Sequence, residues 1–224
     1  MDNKMSKSKS FSTLQVLATA VAAYEFNENT IVRNPVIIGN KGYVSNRQLI
    51  SDYAQGNGGP FIVNDIHIKQ AEGIIAYLEQ TVIMQSLKGT PDRFLGQIST
   101  ILADKEVTDR DFGIVAWAPH LADQYQQKDH VREVSARYEY RSRYIGRIGD
   151  KVELDFTIID KRYIKSMDCF AVYGYSQDNL VFYWAKNLDK ICEVGRIQGR
   201  IKTHKEDEYR NKARVTVLNY VKVL

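Results

Sequence analysis

The chain has 224 residues, 44% of them hydrophobic and 26% charged, with a formal net charge of +4. That length and mix exclude a disulfide miniprotein and wholesale disorder, and suit one large or two small domains of roughly 100–200 residues each. No apolar run nears the roughly 20 residues that a membrane-spanning helix needs. Residues 1–10 are polar and rich in Lys and Ser, and read as a flexible N-terminus. The apolar stretch 15–24 behind them lacks a small-residue cleavage site, which disfavours a signal peptide.

Residues 11–24 carry Leu14, Leu17, Ala18, Val21 and Ala22 at helical spacing without a breaker. A shorter helical pattern over 43–55, with Leu49, Ile50 and Tyr53, follows the N-cap candidate Ser45. Gly56 to Pro60 then interrupts the chain. From Asn64 the run Ile66, Ala71, Ile74, Ile75, Leu78, Val82 predicts a long amphipathic helix ending near Gly89. Pro91 is placed in the first turn of the next helix, with Phe94, Leu95, Ile98 and Leu102 on its inner side. Thr108 opens another, with Asp111 as its box-like capping partner, and Pro119 bends it. Four or five helices are expected, making a helical domain over residues 11–127.

Beyond Gln127 the hydrophobic period becomes that of strands. Arg137 to Tyr144 alternates, as do Val152, Leu154, Phe156 and Ile158 against polar neighbours. Residues 170–173 and 180–184 flank Ser176-Gln177-Asp178-Asn179 as a hairpin, and 187–194 reads as a short helix or turn. Residues 197–202 and 215–221 supply the last two strands around a charged loop. Five or so strands over 132–224, with a short helical piece before the fourth, suit an OB-like antiparallel β-barrel. The fold class is α+β: a helical domain followed by a barrel.

Charge and rings divide the same way. Residues 1–131 carry 12 Lys and Arg against 14 Asp and Glu, and residues 132–224 carry 19 against 13. The shorter second stretch also holds 13 of the 24 aromatic residues. A basic, aromatic-rich segment joined to a mildly acidic one points to two units with different tasks.

Catalytic motifs are scarce. His67, His120, His130 and His204 lack metal-ligand spacing, the glycines at 56–59 lack the Lys-Ser/Thr of a phosphate loop, and no Gly-x-Ser-x-Gly is present. Glu206-Asp207-Glu208 reads as a solvated hairpin tip. Cys169 and Cys192 form no CxxC pair and read as reduced thiols of a cytoplasmic protein. No enzymatic activity, metal or cofactor is expected.

The second half carries a binding pattern. Period two places Arg196, Gln198, Arg200 and Lys202 on one face of a strand and Ile197, Gly199 and Ile201 on the other. Arg137, Arg141 and Arg143 share a face in the earlier alternating run, near Tyr138, Tyr140 and Tyr144. Cations along strands can follow a phosphodiester backbone, and exposed rings can stack on unpaired bases. The same residues also suit an ordinary solvated sheet.

Gly199-Arg200-Ile201-Lys202-Thr203-His204, then Tyr209-Arg210-Asn211-Lys212, then Val215-Thr216-Val217-Leu218-Asn219-Tyr220-Val221-Lys222 resemble a pattern of bacteriophage-encoded single-stranded DNA-binding proteins. There a Gly-x-Val-Lys-x-His strand meets a Tyr-x-Gly loop and a closing Gln-Thr-x-Leu-x-Arg strand. Tyr144 to Lys151 resembles the Gly-x-x-Gly-Lys/Arg turn that opens their barrel, and Thr108 to Gly113 the end of their helical region. Asn211 stands where Gly is usual, and Ala213-Arg214 where Lys-Gln is usual. The resemblance implies a helical part followed by an OB-like barrel that binds single-stranded DNA in phage replication or recombination, in the host cytoplasm. Lys202, His204, Tyr209, Lys212 and Thr216 match its motif; for His204 and Thr216, pinning strand ends and contacting DNA are both open.

The resulting expectation is a non-sequence-specific single-stranded DNA- or RNA-binding protein with no membrane association. Arg141, Arg143, Arg196, Arg200, Lys202 and Lys212 would meet phosphates, and Tyr138, Tyr144, Trp184 and Tyr209 would meet bases. The helical domain would pair with a second copy or a replication protein. The alternatives are a virion or host-inhibitor adaptor using the barrel for docking, and a metal-dependent nuclease using Glu206 and Asp207.

Overall fold

The computed structural model describes residues 9–208 and 210–224 and divides the chain into two units, residues 1–126 and 127–224. In the first unit α1 (Thr13–Phe26) is buried on nearly every side, as its run of Ala, Val and Leu requires, and forms the centre of the core. Around it lie α2 (Asn46–Ala54), α3 (Asp65–Leu87), α4 (Arg93–Ala103), α5 (Phe112–Val115) and the start of α6 (Ala118–Glu139). Leu17, Ile50, Leu78, Leu95, Ile98 and Phe112 are fully enclosed.

Local chemistry sets the helix starts. Ser45 Oγ accepts from the Gln48 N–H at 3.2 Å, the cap expected for α2. Asn64 Oδ1 accepts from Ile66 and His67 N–H while His67 Nδ1 accepts from the Asn64 N–H, a reciprocal box at the start of α3. Asp92 caps α4, so Pro91 lies ahead of the cap instead of in the first turn. Thr108 likewise does not open a helix. It ends β4 (Glu106–Thr108), which pairs with β1 (Ser10–Ser12), and its N–H and hydroxyl both donate to Asp111 Oδ2 at 3.0 and 2.7 Å, tying the turn before α5. A small hairpin of β2 (Val36–Ile38) and β3 (Lys41–Tyr43) completes the unit. Six α-helices are present among the described residues, against the four or five expected.

The second unit is a closed five-stranded barrel with the second half of α6 against it. Its strands are β5 (Lys151–Ile164), β6 (Cys169–Ser176), β7 (Asn179–Ala185), β8 (Val194–Asp207) and β9 (Ala213–Val223). Their order around the barrel is β5-β6-β7-β9-β8, closing back on β5. The β7–β9 pair is parallel and the others antiparallel, so the barrel is not wholly antiparallel as expected. Phe156, Val172, Val181, Tyr183, Ile197, Ile201 and Leu218 fill its interior. Gly174 lets β6 pass that filling: a Cβ there would sit 2.3 Å from Phe156 Cζ and from the Thr157 carbonyl oxygen.

The alternating run Arg137 to Tyr144 is not a strand. Arg137, Tyr138 and Glu139 are the last turn of α6, and residues 140–150 are turn and coil leading to β5, so the barrel strands begin at Lys151 and not near 132. No Gly or Pro interrupts residues 120–145, Arg137 pairs with Glu133 one turn back at 3.0 Å, and Val131, Val134 and Tyr138 fall on one side of the helix against the barrel. Helical burial outweighs an eight-residue alternation that binds no strand partner. No helix among the described residues is long and apolar enough to cross a membrane.

Candidate functional site

The outer side of β5, β6 and β7 gathers rings and cations in register. Asp160, Tyr173 and Phe182 lie side by side across the three strands, and Arg162, Ala171 and Trp184 form the next row. The row order follows from a bulge at Ile158–Asp160, which carries Arg162 to the outer side of β5. Trp184 is 43% exposed, stands edge-on to Phe182 at 5.0 Å, and has the small Ala171 beside it in the row.

Beside this row runs a groove of about 850 Å³ between the last turns of α6 and the strands, bordered by Arg132, Ser135, Arg162, Tyr173, Phe182 and Arg210 among others. Arg210 is held from two sides: its guanidinium lies 3.9 Å from the Tyr173 ring centroid and 2.8 Å from Asp207. Lys205 Nζ lies 4.7 Å from the Phe182 ring centroid. Among the described residues Ser135 Oγ and Tyr173 Oη are buried on this side without a hydrogen-bond partner. Burial pushes the Tyr173 phenol well above its ordinary value, so it is a neutral O–H throughout the physiological range. Arg132 and Arg162 are exposed and enter no ion pair among the described residues, leaving the groove rim positive despite Glu139 and Asp160.

The residues singled out in the sequence do not form one surface. Trp184 belongs to the row just described. Tyr138 is stacked on Tyr175 at 4.5 Å and packs α6 on the barrel, a structural task. Arg141, Arg143 and Tyr144 lie on an irregular strap that distant side chains pin. Ser142 Oγ donates to the Arg214 carbonyl and accepts from the Leu180 N–H, Asn179 Oδ1 accepts from the Arg143 N–H, and Thr216 Oγ1 accepts from the Ile145 N–H. His204 Nε2 lies 3.1 Å from the Ile145 carbonyl oxygen, and its ring stacks on Tyr144 at 4.5 Å. His204 and Thr216 therefore both fasten the strap. Arg143, tied to Asn179 at the start of β7, sits about 17 Å along the strand from Trp184, at ~3.4 Å per residue.

Arg196, Arg200 and Lys202 alternate outward along β8, with Ile197, Gly199 and Ile201 inward, as period two predicts. In the closed order only β9 lies between β8 and β7: Leu218 is in register with both Tyr183 and Ile201, and Asn219 with Arg200, so this wall adjoins the Trp184 end of β7 across β9. Arg196 is within 3.4 Å of Asp155 on β5, while Gln198 donates to Glu153. Lys212 is an exposed left-handed residue (φ +57°) in the β8–β9 turn. Tyr209 lies outside the described residues. The sequence reading missed Arg132, Arg162, Phe182 and Arg210; Phe182 and Trp184 share a period-two face, which was the available signal.

No family model, curated protein or solved structure matches the chain.

Asp207 of the acidic run is held by Arg210, and Glu206 and Asp207 belong to β8 and not to a free loop tip. Among the described residues no three His, Cys, Asp or Glu side chains are grouped to hold a metal ion.

Proposed function

We propose that the barrel is OB-like and binds single-stranded nucleic acid on the outer face of β5, β6 and β7. The observation that carries this reading is the Arg162–Ala171–Trp184 row beside Phe182, with a partly exposed indole next to a groove rimmed by Arg132, Arg162 and Arg210. The strand order β5-β6-β7-β9-β8, with the third and fifth strands parallel, agrees with an OB-like barrel, whose second and third strands and adjoining loops are the usual oligonucleotide face. Unpaired bases stack on exposed rings at roughly 1–3 kcal/mol each, and cations follow the phosphates. Contacts of this kind read no base edge, so binding is without strong sequence preference. Replication or recombination of phage DNA in a host cytoplasm is the setting the sequence resemblance suggests.

Fluorescence anisotropy with labelled oligo-dT and duplex DNA of equal length tests the reading. Single strands are expected to bind more tightly than duplex, with affinity falling as salt rises. Trp184→Ala should weaken dT binding by about 5- to 100-fold. Equal affinity for duplex, or an unaffected Trp184→Ala variant, would count against it.

A further inference from the structure

Beside the wall on β8, β9 carries a ring that ordinary strand alternation does not provide. Gln198 is in register with Lys222 and Arg200 with Asn219, so Tyr220 and Val221 together oppose Gly199 as a bulge. Val221 turns inward and is buried, whereas Tyr220 takes a left-handed backbone (φ +53°) and carries its ring 82% exposed. A β-strand residue other than Gly, Asn or Asp rarely adopts that conformation, and side chains held this way concentrate at binding sites.

Cations surround the ring. Arg200 is flanked in register by Lys151 on β5 and Asn219 on β9, Lys202 follows on the same strand, and Lys222 lies beyond the bulge. None of Lys151, Arg200, Lys202 and Lys222 enters an ion pair among the described residues, whereas Arg196, further along β8, has Asp155. The nearby carboxylates Asp150 and Glu153 accept from the Arg147 N–H and from Gln198, neutral donors that leave their charge in place. The result is a patch in which four unpaired cations outnumber two carboxylates around a projecting aromatic ring, next to the Trp184 end of β7 across β9.

We infer that this wall is a second contact surface for a single strand, so that one strand held at the Trp184 face continues onto the Tyr220 wall. The inference rests on the single-strand reading of the barrel. The patch chemistry selects the occupant: unpaired bases offer π-faces to Tyr220, which duplex DNA keeps stacked inside, and phosphates match the four cations. Barrels of this kind cover roughly 4–16 nucleotides, and two faces place this one toward the upper end.

The test compares labelled dT strands of about 6 and about 20 nucleotides, lengths chosen to span that range. Arg200→Glu combined with Lys202→Glu, and separately Tyr220→Ala, are expected to leave the short strand within twofold. The double variant should weaken the long strand more than tenfold and flatten its salt dependence, by ~0.7 in log–log slope for each phosphate no longer neutralised. Tyr220→Phe should bind as wild type does. Melting temperature should be preserved in every variant. Unchanged long-strand affinity in the Tyr220→Ala and double variants overturns the second surface and leaves the Trp184 face standing. If Trp184→Ala has no effect while the β8 variants weaken both lengths, the wall is the primary site, and both the two-surface inference and the Trp184 reading fall. Absence of wild-type binding to either strand overturns the single-strand reading itself.

Discussion

The two outer faces of the barrel present their rings by different means. On β7, Trp184 and Phe182 point outward because a strand turns alternate side chains to alternate sides, and Tyr183 between them is fully enclosed. On β9, Tyr220 projects because a bulge opposite Gly199 forces one residue into a left-handed conformation. The first arrangement involves no backbone strain, and packing behind the row fixes it. The second carries an unfavourable backbone that the protein retains, and such retention has a physical reading: the projecting ring does something that a glycine in its place would not.

Tyr183 gives the largest expected effect and checks which way β7 faces. Burial pushes its phenol up to about 12, against about 10 for an exposed tyrosine. The folded state thus holds the proton after the unfolded chain has lost it. That contribution is complete below about pH 10 and disappears as pH rises toward about 12, a loss of roughly 2–3 kcal/mol. Urea unfolding of wild type and Tyr183→Phe across this window should show the smaller decline in the variant; equal declines would mean that Tyr183 is not enclosed.

Reversing the groove cations with Arg132→Glu and Arg162→Glu together should weaken dT binding more than tenfold on both short and long strands, as attraction to two phosphates becomes repulsion. Filter binding at two salt concentrations would measure this, and a loss confined to long strands would move the primary contact elsewhere. Tyr220→Gly should separate strain from binding. A left-handed L-residue is disfavoured by roughly 1–2 kcal/mol, so the variant should melt higher while its long-strand affinity falls severalfold. A lower melting temperature would show the ring to be structural. The smallest effect is expected for Arg196→Gln, under about twofold in affinity, because Asp155 already balances that charge in an exposed pair.

Much of this architecture was legible. The cap Ser45, the long helix beginning after Asn64, the hairpin around Gln177-Asp178 and the inward–outward sorting of residues 196–202 follow from local pattern. The strap of residues 140–146 was not, because its conformation is set by Asn179, His204 and Thr216, which lie far along the chain. An alternating run without a strand beside it has no hydrogen-bond ladder to join, and Arg137 to Glu139 went to the helix. The site divided for a related reason. Which cations stay unpaired depends on register between β5 and β8, and that register sets Arg196 against Asp155 but Arg200 against Lys151. Tyr220 was the least legible, since the bulge that exposes it exists only in the pairing of β8 with β9.

The chain contains two tryptophans, and Trp117→Phe leaves Trp184 as the sole indole reporter. Titrating that variant with oligo-dT while following indole emission tests the proposed face directly. Stacking of unpaired bases should quench Trp184 saturably, with the quench reversed by salt and weaker with duplex of equal length. Bound oligo-dT, verified by anisotropy in the same samples, with indole emission unchanged would contradict the assignment of this face.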